Sequence, residues 1–324
     1  MPVTRSGSTP SPLEGSLLRL RFQHMKLLVA LQESASVNEA ATRMRLTQSA
    51  ASKLLADIEF SFGARLFERG RLGLRATPAG AALAVRAGRM LRDVEAAREE
   101  LHLLEQGAST LLRVGGLPVT LATDMPRVLA ACRERWPGLV LQLREATGRQ
   151  LLRDVETGVV DCGIGRALLD EPIDTVARSL QFSVLKPESL LAVVRRAHPL
   201  ARRRRVSIVE LARHDWLTPA VGSSAYTVFA QAFQRAGVAP PRPAIECDAS
   251  FGTLVTYLRR FNLVGMLPDA IANDPSVANG LVRVDTRFRA DLPPLAFIAR
   301  GERFEAPELA RFREICALAT QPAA

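Results

Sequence analysis

Aromatic residues are scarce in this chain, 5% of its 324 positions, and cysteine and histidine occur four times each. The cysteines, Cys132, Cys162, Cys247 and Cys316, stand far apart with no C-x-x-C pair and no Cys/His cluster, which speaks against structural zinc and leaves no metal site to name. Reduced thiols on apolar elements are the default, and a reactive thiol at Cys247 stays open. None of the histidines, His24, His102, His198 and His214, has an acid or nucleophile beside it in sequence. There is no P-loop, no G-x-S-x-G elbow and no H-E-x-x-H, and Gly163-Ile-Gly165 fails as a dinucleotide fingerprint because Leu168 takes the last glycine's place. Nothing here calls for a cofactor. No apolar run approaches the roughly 20 residues needed to span a bilayer. Residues 1–17 are rich in Pro, Ser, Thr and Gly without a signal-peptide core, so a disordered tail and a cytoplasmic protein are expected.

What is present is positive charge and length. The 43 Lys and Arg against 33 Asp and Glu leave +10, which suits a polyanionic partner without identifying one. The length suggests about two domains, each able to bury a core. From Leu20 to Pro78, nine basic residues face five acidic ones. Six more arginines crowd Arg195–Arg205, a segment read as a solvated loop or assembly contact in preference to a DNA site.

The N-terminal part carries local helix signals. Ser36 and Glu39 form a capping box that starts a short helix at Val37, with Ala40, Ala41 and Met44 as its apolar stripe. Arg45-Leu46 turns the chain, and Thr47 caps a second helix reaching about Phe60. On it Ala51, Leu54, Leu55 and Ile58 share the inner face, while Gln48, Ser49, Ser52, Lys53 and Ala56 lie outside. Short polar side chains and one cation let a helix backbone approach base edges in a major groove. A preceding helix, roughly Leu18 to Ser34, presents Leu20, Leu27, Leu28 and Leu31 and closes a three-helix core. Gly70, Gly73 and Pro78 punctuate a basic hairpin, Arg65–Arg75, that reads as a wing for phosphate or the minor groove, or as a solvated hairpin.

Helix spacing alone fits many proteins. The full pattern, Ala40-Ala41, Met44, Leu46-Thr-Gln-Ser-Ala-Ala-Ser52, Ile58-Glu59, Phe62-Gly63, Leu66-Phe67, Arg69 and Thr77-Pro78-x-Gly80, closely resembles the winged helix-turn-helix of LysR-type transcriptional regulators. It departs where Met44 and Phe60 stand in place of the usual leucines. The resemblance implies DNA contacts from Thr47, Gln48, Ser49, Ser52 and Lys53, and wing or backbone contacts from Arg69, Arg71, Arg75 and Thr77.

From Ala79 to about Gln106 there is no proline, and Leu83, Ala87, Met90, Val94, Ala97, Leu101 and Leu104 follow a heptad seam. Self-association along this helix is expected, giving a homodimer and, by the resemblance, a tetramer that reads an interrupted palindrome. A helix merely packed on its own domain is the alternative. Beyond Gly107, apolar runs alternate with helical stretches: Leu111–Val114, Val140–Leu143, Val160–Ile164, Leu190–Val194, Asp215–Thr218, Ala244–Cys247, Asn262–Leu267, Leu281–Val284 and Leu295–Ala299. Such alternation predicts an α/β domain. Trp136-Pro-Gly138, Glu145-x-Thr147, Asp161-Cys-Gly-Ile164 and His198-Pro-Leu-Ala201 resemble the periplasmic-binding-protein-like effector domain of the same regulators. Asn262–Pro268 reads as the return crossing between lobes, although Arg260-Phe261-Asn262 replaces a Gly-rich stretch.

The fold expected is thus an α+β two-part chain: an all-α winged helix-turn-helix head over 18–78, a dimerising linker helix over 79–107, and a two-lobed α/β effector domain over 108–324. Its first lobe would hold about 108–185 and 269–324, its second about 186–268. A cleft between lobes is expected to bind a small effector through Pro118, Val119, Thr120, Thr147, Gly148, Thr218, Pro219 and Ser250, an anion or hydroxylated metabolite by their donor chemistry. The function that follows is effector-controlled transcription regulation on double-stranded DNA, with RNA polymerase as a further partner of an activator and no enzymatic activity. The alternatives are an enzyme or a transport-type binding protein built on the cleft.

Overall fold

The structure, a computed structural model, describes residues 20–70, 73–105, 107, 109–166, 179–221, 224–247, 249, 251–273 and 280–321. The tail expected over 1–17 lies outside them, as do Arg71 and Ser250. The described residues divide into two units, Met1–Gln106 with Thr157–Val159, and Gly107–Glu156 with Val160–Ala324.

In the first unit, α1 (Phe22–Gln32), α2 (Val37–Arg43) and α3 (Gln48–Phe62) precede a hairpin of β1 (Phe67–Gly70) and β2 (Gly73–Ala76), then α4 (Pro78–Glu105). Helix α1 is shorter than the 18–34 anticipated. Helix α2 begins where Ser36 Oγ accepts from the Glu39 amide at 3.1 Å, and Glu39 Oε2 reaches one residue past the expected partner, accepting from the Ala35 amide at 2.9 Å. Thr47 Oγ1 accepts from the Ala50 amide at 3.2 Å, and Gly63, in the left-handed region at φ 60°, ends α3 two residues later than Phe60. Leu27, Leu28, Leu31, Ala40, Ala41, Ala51 and Ile58 form the core beneath, joined by Leu66 and Phe67 of the hairpin.

Side-chain and backbone contacts fasten the hairpin. Glu59 Oε1 accepts from the amides of Leu66 and Phe67 at 2.7 and 3.3 Å. Gly73 sits at φ 105°, where a Cβ would meet the Ala35 carbonyl oxygen at 2.6 Å, so β2 lies directly on the loop before α2. Gly80, in the first turn of α4, passes so close to Leu66 that an added Cβ would overlap its carbonyl.

The heptad seam needs correction at its start. Ala87 is fully buried and Leu83 packs with it and Ala84 into the head's own core. From Met90 onward the stripe is free: Met90, Val94, Leu101 and Leu104 are 56%, 50%, 64% and 45% exposed, and Ala97 is exposed with them. A 28-residue helix thus has one end built into the head and an unmatched apolar stripe along the rest.

The second unit opens with β3 (Thr110–Gly116), α5 (Pro118–Thr123), α6 (Met125–Arg135), β4 (Leu139–Glu145), α7 (Gly148–Thr157) and β5 (Cys162–Arg166). Strand β3 pairs in parallel with both β4 and β5, the βαβ arrangement the sequence pattern predicts. Two long strands follow the pattern less well. Strand β6 (Leu180–Arg195) and strand β11 (Arg289–Arg300) pair antiparallel along nearly their whole length, from Arg289 opposite Leu191 to Arg300 opposite Leu180. Between them the chain forms the second lobe: α8 (Ile208–Leu211), β7 (Trp216–Pro219), α9 (Ser224–Arg235), β8 (Pro243–Cys247), α10 (Phe251–Arg260), β9 (Gly265–Pro268), α11 (Asp269–Ala272) and β10 (Leu281–Arg283).

This pairing relocates the return crossing. Strand β9 pairs with β6 over Leu190–Val193 and β10 with β6 over Val193–Arg195, so the chain stays in the second lobe past Pro268. It returns along β11, whose register shifts between Leu292 and Leu295, where Pro293 and Pro294 cannot donate ladder bonds. Helix α12 (Pro307–Ala319) then packs with α6 on the first lobe's sheet, burying Phe297, Phe312, Ile315 and Cys316. The scarce aromatics are concentrated in the second lobe. Trp216, Phe229 and Phe233 are fully buried with centroids 5.0–5.5 Å apart, and Trp216 Nε1 donates to the Leu211 carbonyl at 2.9 Å.

Candidate nucleic-acid interface and ligand cavity

In the first unit, α3 divides its residues as the spacing requires. Ala51 and Ile58 are fully buried and Leu54 and Leu55 partly so, which leaves Gln48, Ser49, Ser52 and Lys53 together on the exposed face. Thr47 is exposed too, but its hydroxyl is shared between the Ala50 amide and Ser49 Oγ at 3.1 Å, so its first duty is the cap. The preceding turn holds Arg45 at φ 56°, a left-handed residue that costs about 1 kcal/mol without glycine.

The wing places Arg75 exposed on β2, opposite Glu68, and puts Arg69 on β1 opposite Leu74. Thr77 departs from its expected role. Its Oγ1 donates toward the Arg65 and Leu66 carbonyls at 2.9 and 3.2 Å and accepts from the Gly80 amide at 3.0 Å. A hydroxyl so committed holds the wing to α4 and has nothing left for a phosphate.

The second unit contains a cavity of about 280 Å³ beside the paired long strands. Its lining is mostly apolar: Val119 after β3, Leu217 and Pro219 of β7, Leu254 of α10, Met266 and Leu267 of β9. Val119 and Pro219 are the predicted ligand residues that reach it. Pro118 and Gly148 are half-buried and Thr147 exposed, all outside its lining. Thr120 and Thr218 are buried with unpartnered hydroxyls and lie outside the lining as well. For Thr218 the reason is strand alternation, since its neighbours Leu217 and Pro219 face the cavity. Helix α5, six residues long, is also too short to offer an anion site at its start.

The polar member of the lining is one that sequence reasoning missed. Arg166, the last residue of β5, contributes the charged group, and its Nη2 and Nε lie 2.6 and 2.8 Å from Glu188 Oε2. Glu188 is 2% and Arg166 17% exposed at the side chain, so the carboxylate is buried and the guanidinium keeps one side open. The signal was available: in open α/β sheets ligands meet the carboxyl ends of strands, and Arg166 ends the strand that begins Cys162-Gly-Ile. Two residues earlier on β6, Lys186 Nζ lies 2.6 Å from Asp124 Oδ1, which also receives Arg127 at 3.1 Å. Two buried ion pairs therefore flank Pro187 and tie β6 to the first lobe.

Cys132, Cys162 and Cys316 are buried in the first lobe's core. Burial pushes all three thiols up, so none is a ready thiolate. Cys247 is half-buried on the cavity wall. His198 is buried and held neutral down to about 4, first by burial and then by His214 and Arg195.

Comparison with known proteins places these two units side by side with described domains. Residues 22–81 match the family model described as the bacterial regulatory helix-turn-helix protein, lysR family, and residues 105–320 match the LysR substrate binding domain. The regulator GbpR of Azospirillum brasilense is 32% identical over 229 residues, covering 70% of this chain and 66% of that protein. The uncharacterised regulator YdcI of Escherichia coli K12 is 34% identical over 182 residues, 56% of this chain and 58% of its own. The matched segments thus span under two thirds of these relatives' length. Among solved structures, full-length CbnR in complex with its target DNA is similar in fold, with a TM-score of 0.60 at 19% identity over 93% of this chain and 100% of that one. Among the described residues no helix is long and apolar enough to cross a membrane.

Proposed function

This chain belongs to the LysR family of bacterial transcriptional regulators, and on that premise we propose that it binds an interrupted palindromic operator as a homodimer or homotetramer under the control of a small effector. The single observation that carries the reading is α3, whose exposed face is Gln48, Ser49, Ser52 and Lys53 while Ala51 and Ile58 are fully buried behind it. Short amide and hydroxyl groups suit base edges, Lys53 suits phosphate or guanine, and Arg69 and Arg75 stand on the two strands of the wing, with Arg71 between them in sequence.

The cavity by β7 and β9 supports the effector half of the reading. Its volume suits a compact metabolite, its lining favours an apolar body, and Arg166 offers a point of attachment for a hydroxyl or carboxylate. An effector acts only by preferring one arrangement of the lobes, which an anion can do by competing with Glu188 for Arg166. The relatives matched are named as regulators, and we take the cavity as a sensor and not a catalytic centre. Pairing along Met90, Val94, Ala97, Leu101 and Leu104, a location in the cytoplasm with the DNA, and contact with RNA polymerase at activated promoters belong to the same proposal.

Genomic fragments recovered by the purified chain at physiological salt test it directly. A shared interrupted palindrome is expected with the native protein and is expected to vanish with Ser52→Asp, which sets a carboxylate against the phosphates. Sequence-blind recovery by both proteins would defeat the proposal.

A further inference from the structure

On the second lobe, sharing no lining residue with the cavity, a second concavity of about 960 Å³ is walled by arginine. Arg204 and Arg205 come from the loop before α8, Arg235 from the end of α9, and Arg287 and Arg289 from the loop and strand after β10. Asp285 is the one carboxylate in the lining among the described residues. All five arginines are exposed.

Several arginines of this unit hold carboxylates. Arg127, Arg166, Arg203, Arg303 and Arg313 each have a carboxylate within 3.2 Å. Arg204, Arg205, Arg235 and Arg287 have no such partner among the described residues, although Glu210 stands close enough to take Arg203 at 3.1 Å. An ordinary solvated basic face is convex and interspersed with acids. This one is concave and holds few: Asp285 in the lining, and Asp291, which takes Arg289 at 3.1 Å. Its floor is apolar, with Val206 buried and Ile208, Ala232 and Phe288 half-buried.

The backbone adds an independent sign. Arg205 is held at φ 53°, left-handed for a residue with a side chain, where a turn alone would favour glycine. The next residue, Val206, locks that geometry by donating to the Asp285 carbonyl at 2.8 Å and bridging to Thr286. Strain maintained to keep an arginine at a groove's edge points to use of that arginine.

We infer that this groove is a docking surface for an acidic peptide segment of a partner protein, with apolar residues spaced between its carboxylates. Guanidinium groups take carboxylates in bidentate fashion, and the floor accepts the side chains between them. A DNA backbone matches the charge but leaves the apolar floor unfilled. A lone small anion meets only exposed arginines, where water screens each pair to little net gain, so a partner must engage several at once.

The test uses the full chain and a fluorescein-labelled peptide alternating Glu-Leu and Asp-Phe, read by anisotropy. Binding is expected, competed by salt, and weakened roughly tenfold or more in Arg204→Glu/Arg205→Glu/Arg287→Glu and detectably in Arg235→Glu, which alters only a helix surface. Operator affinity and sedimentation mass should stay native in both variants. Absence of binding, equal binding by the native protein and variants, or displacement of the peptide by an unrelated DNA duplex would overturn the inference. So would a fall in sedimentation mass, which would assign the groove to contact between copies of this chain. None of these outcomes depends on the cavity effector or on the α3 operator contact.

Discussion

Replacing Gly80 with alanine should loosen the head more than any other single methyl added to α4. The new Cβ would overlap the Leu66 carbonyl oxygen and stand 2.8 Å from its carbon, against a normal carbon contact of about 3.5 Å. Both obstacles are backbone, so no rotamer change relieves them. Helix α4 must back away from the hairpin, which costs about 1–3 kcal/mol as overpacking. The shift also strains the bond from the Gly80 amide to Thr77 Oγ1 at 3.0 Å, worth about 1 kcal/mol. Alanine's better helix propensity returns less than about 1 kcal/mol. A net loss of about 2–3 kcal/mol corresponds to a fall of roughly 10–20 °C in the melting of a unit this size. Calorimetry of the full chain reads it, and assignment is straightforward because both tryptophans, Trp136 and Trp216, lie in the second unit, whose fluorescence transition should not move. Gly88→Ala is the control on the same helix: its Cβ meets only the end of Arg92, at 3.1 Å, and stability should change by less than about 1 kcal/mol. A Gly80→Ala head that melts within about 2 °C of native would refute the reasoning.

The exposed half of the seam predicts that Leu101→Glu/Leu104→Glu lowers the sedimentation mass, with Leu83→Ala instead costing head stability; an unchanged mass would contradict pairing there. Glu188→Ala leaves the largely buried Arg166 without its carboxylate and should cost about 3 kcal/mol, while Arg166→Met/Glu188→Leu should cost clearly less; equal denaturant midpoints for the two would refute a stabilising pair. His198 stays neutral in the fold to about 4 while an unfolded histidine titrates near 6.5. Between those values the unfolded chain binds a proton that the folded chain refuses, so stability is full above about pH 7 and falls as pH drops, by at most about 3 kcal/mol. Urea midpoints at pH 7 and pH 5 should converge in His198→Gln, and parallel losses in both proteins would exclude this histidine.

The sequence was most legible where local chemistry decides the outcome. Ser36 and Thr47 set helix starts by hydrogen bonds within a few residues, and the periodicity of α3 marks its buried face without further information, although its end at Gly63 falls two residues later than the sequence predicts. The short strands of the first lobe were readable as apolar runs for the same reason. The long strands were not. Lys186-Pro187-Glu188 interrupts β6 and Pro293-Pro294 interrupts β11, so only their apolar ends, Leu190–Val194 and Leu295–Ala299, looked like strands. Those interruptions lie where the pair passes between lobes, and their charges are matched by Asp124 and Arg166, more than twenty residues away in sequence. The cavity residues were hidden similarly, since Leu217, Leu254 and Met266 look like any core residue until three elements converge. The early seam residues show the reverse error: Leu83 and Ala87 keep perfect heptad spacing, yet the head's own core claims them.

That last detail fixes how α4 can act mechanically. Because its first turns are part of the head's core, the helix and the recognition face move as one rigid piece, with no joint at Gly80 or Ala87 to absorb motion. At about 1.5 Å per residue, 28 residues make a rod about 40 Å long. Tilting such a rod by roughly 5° carries its end through about 3.5 Å, the rise of one base-pair step. A change too small to alter a single side-chain contact in the core is thus amplified, by length alone, into a one-step difference in where a reading head lands.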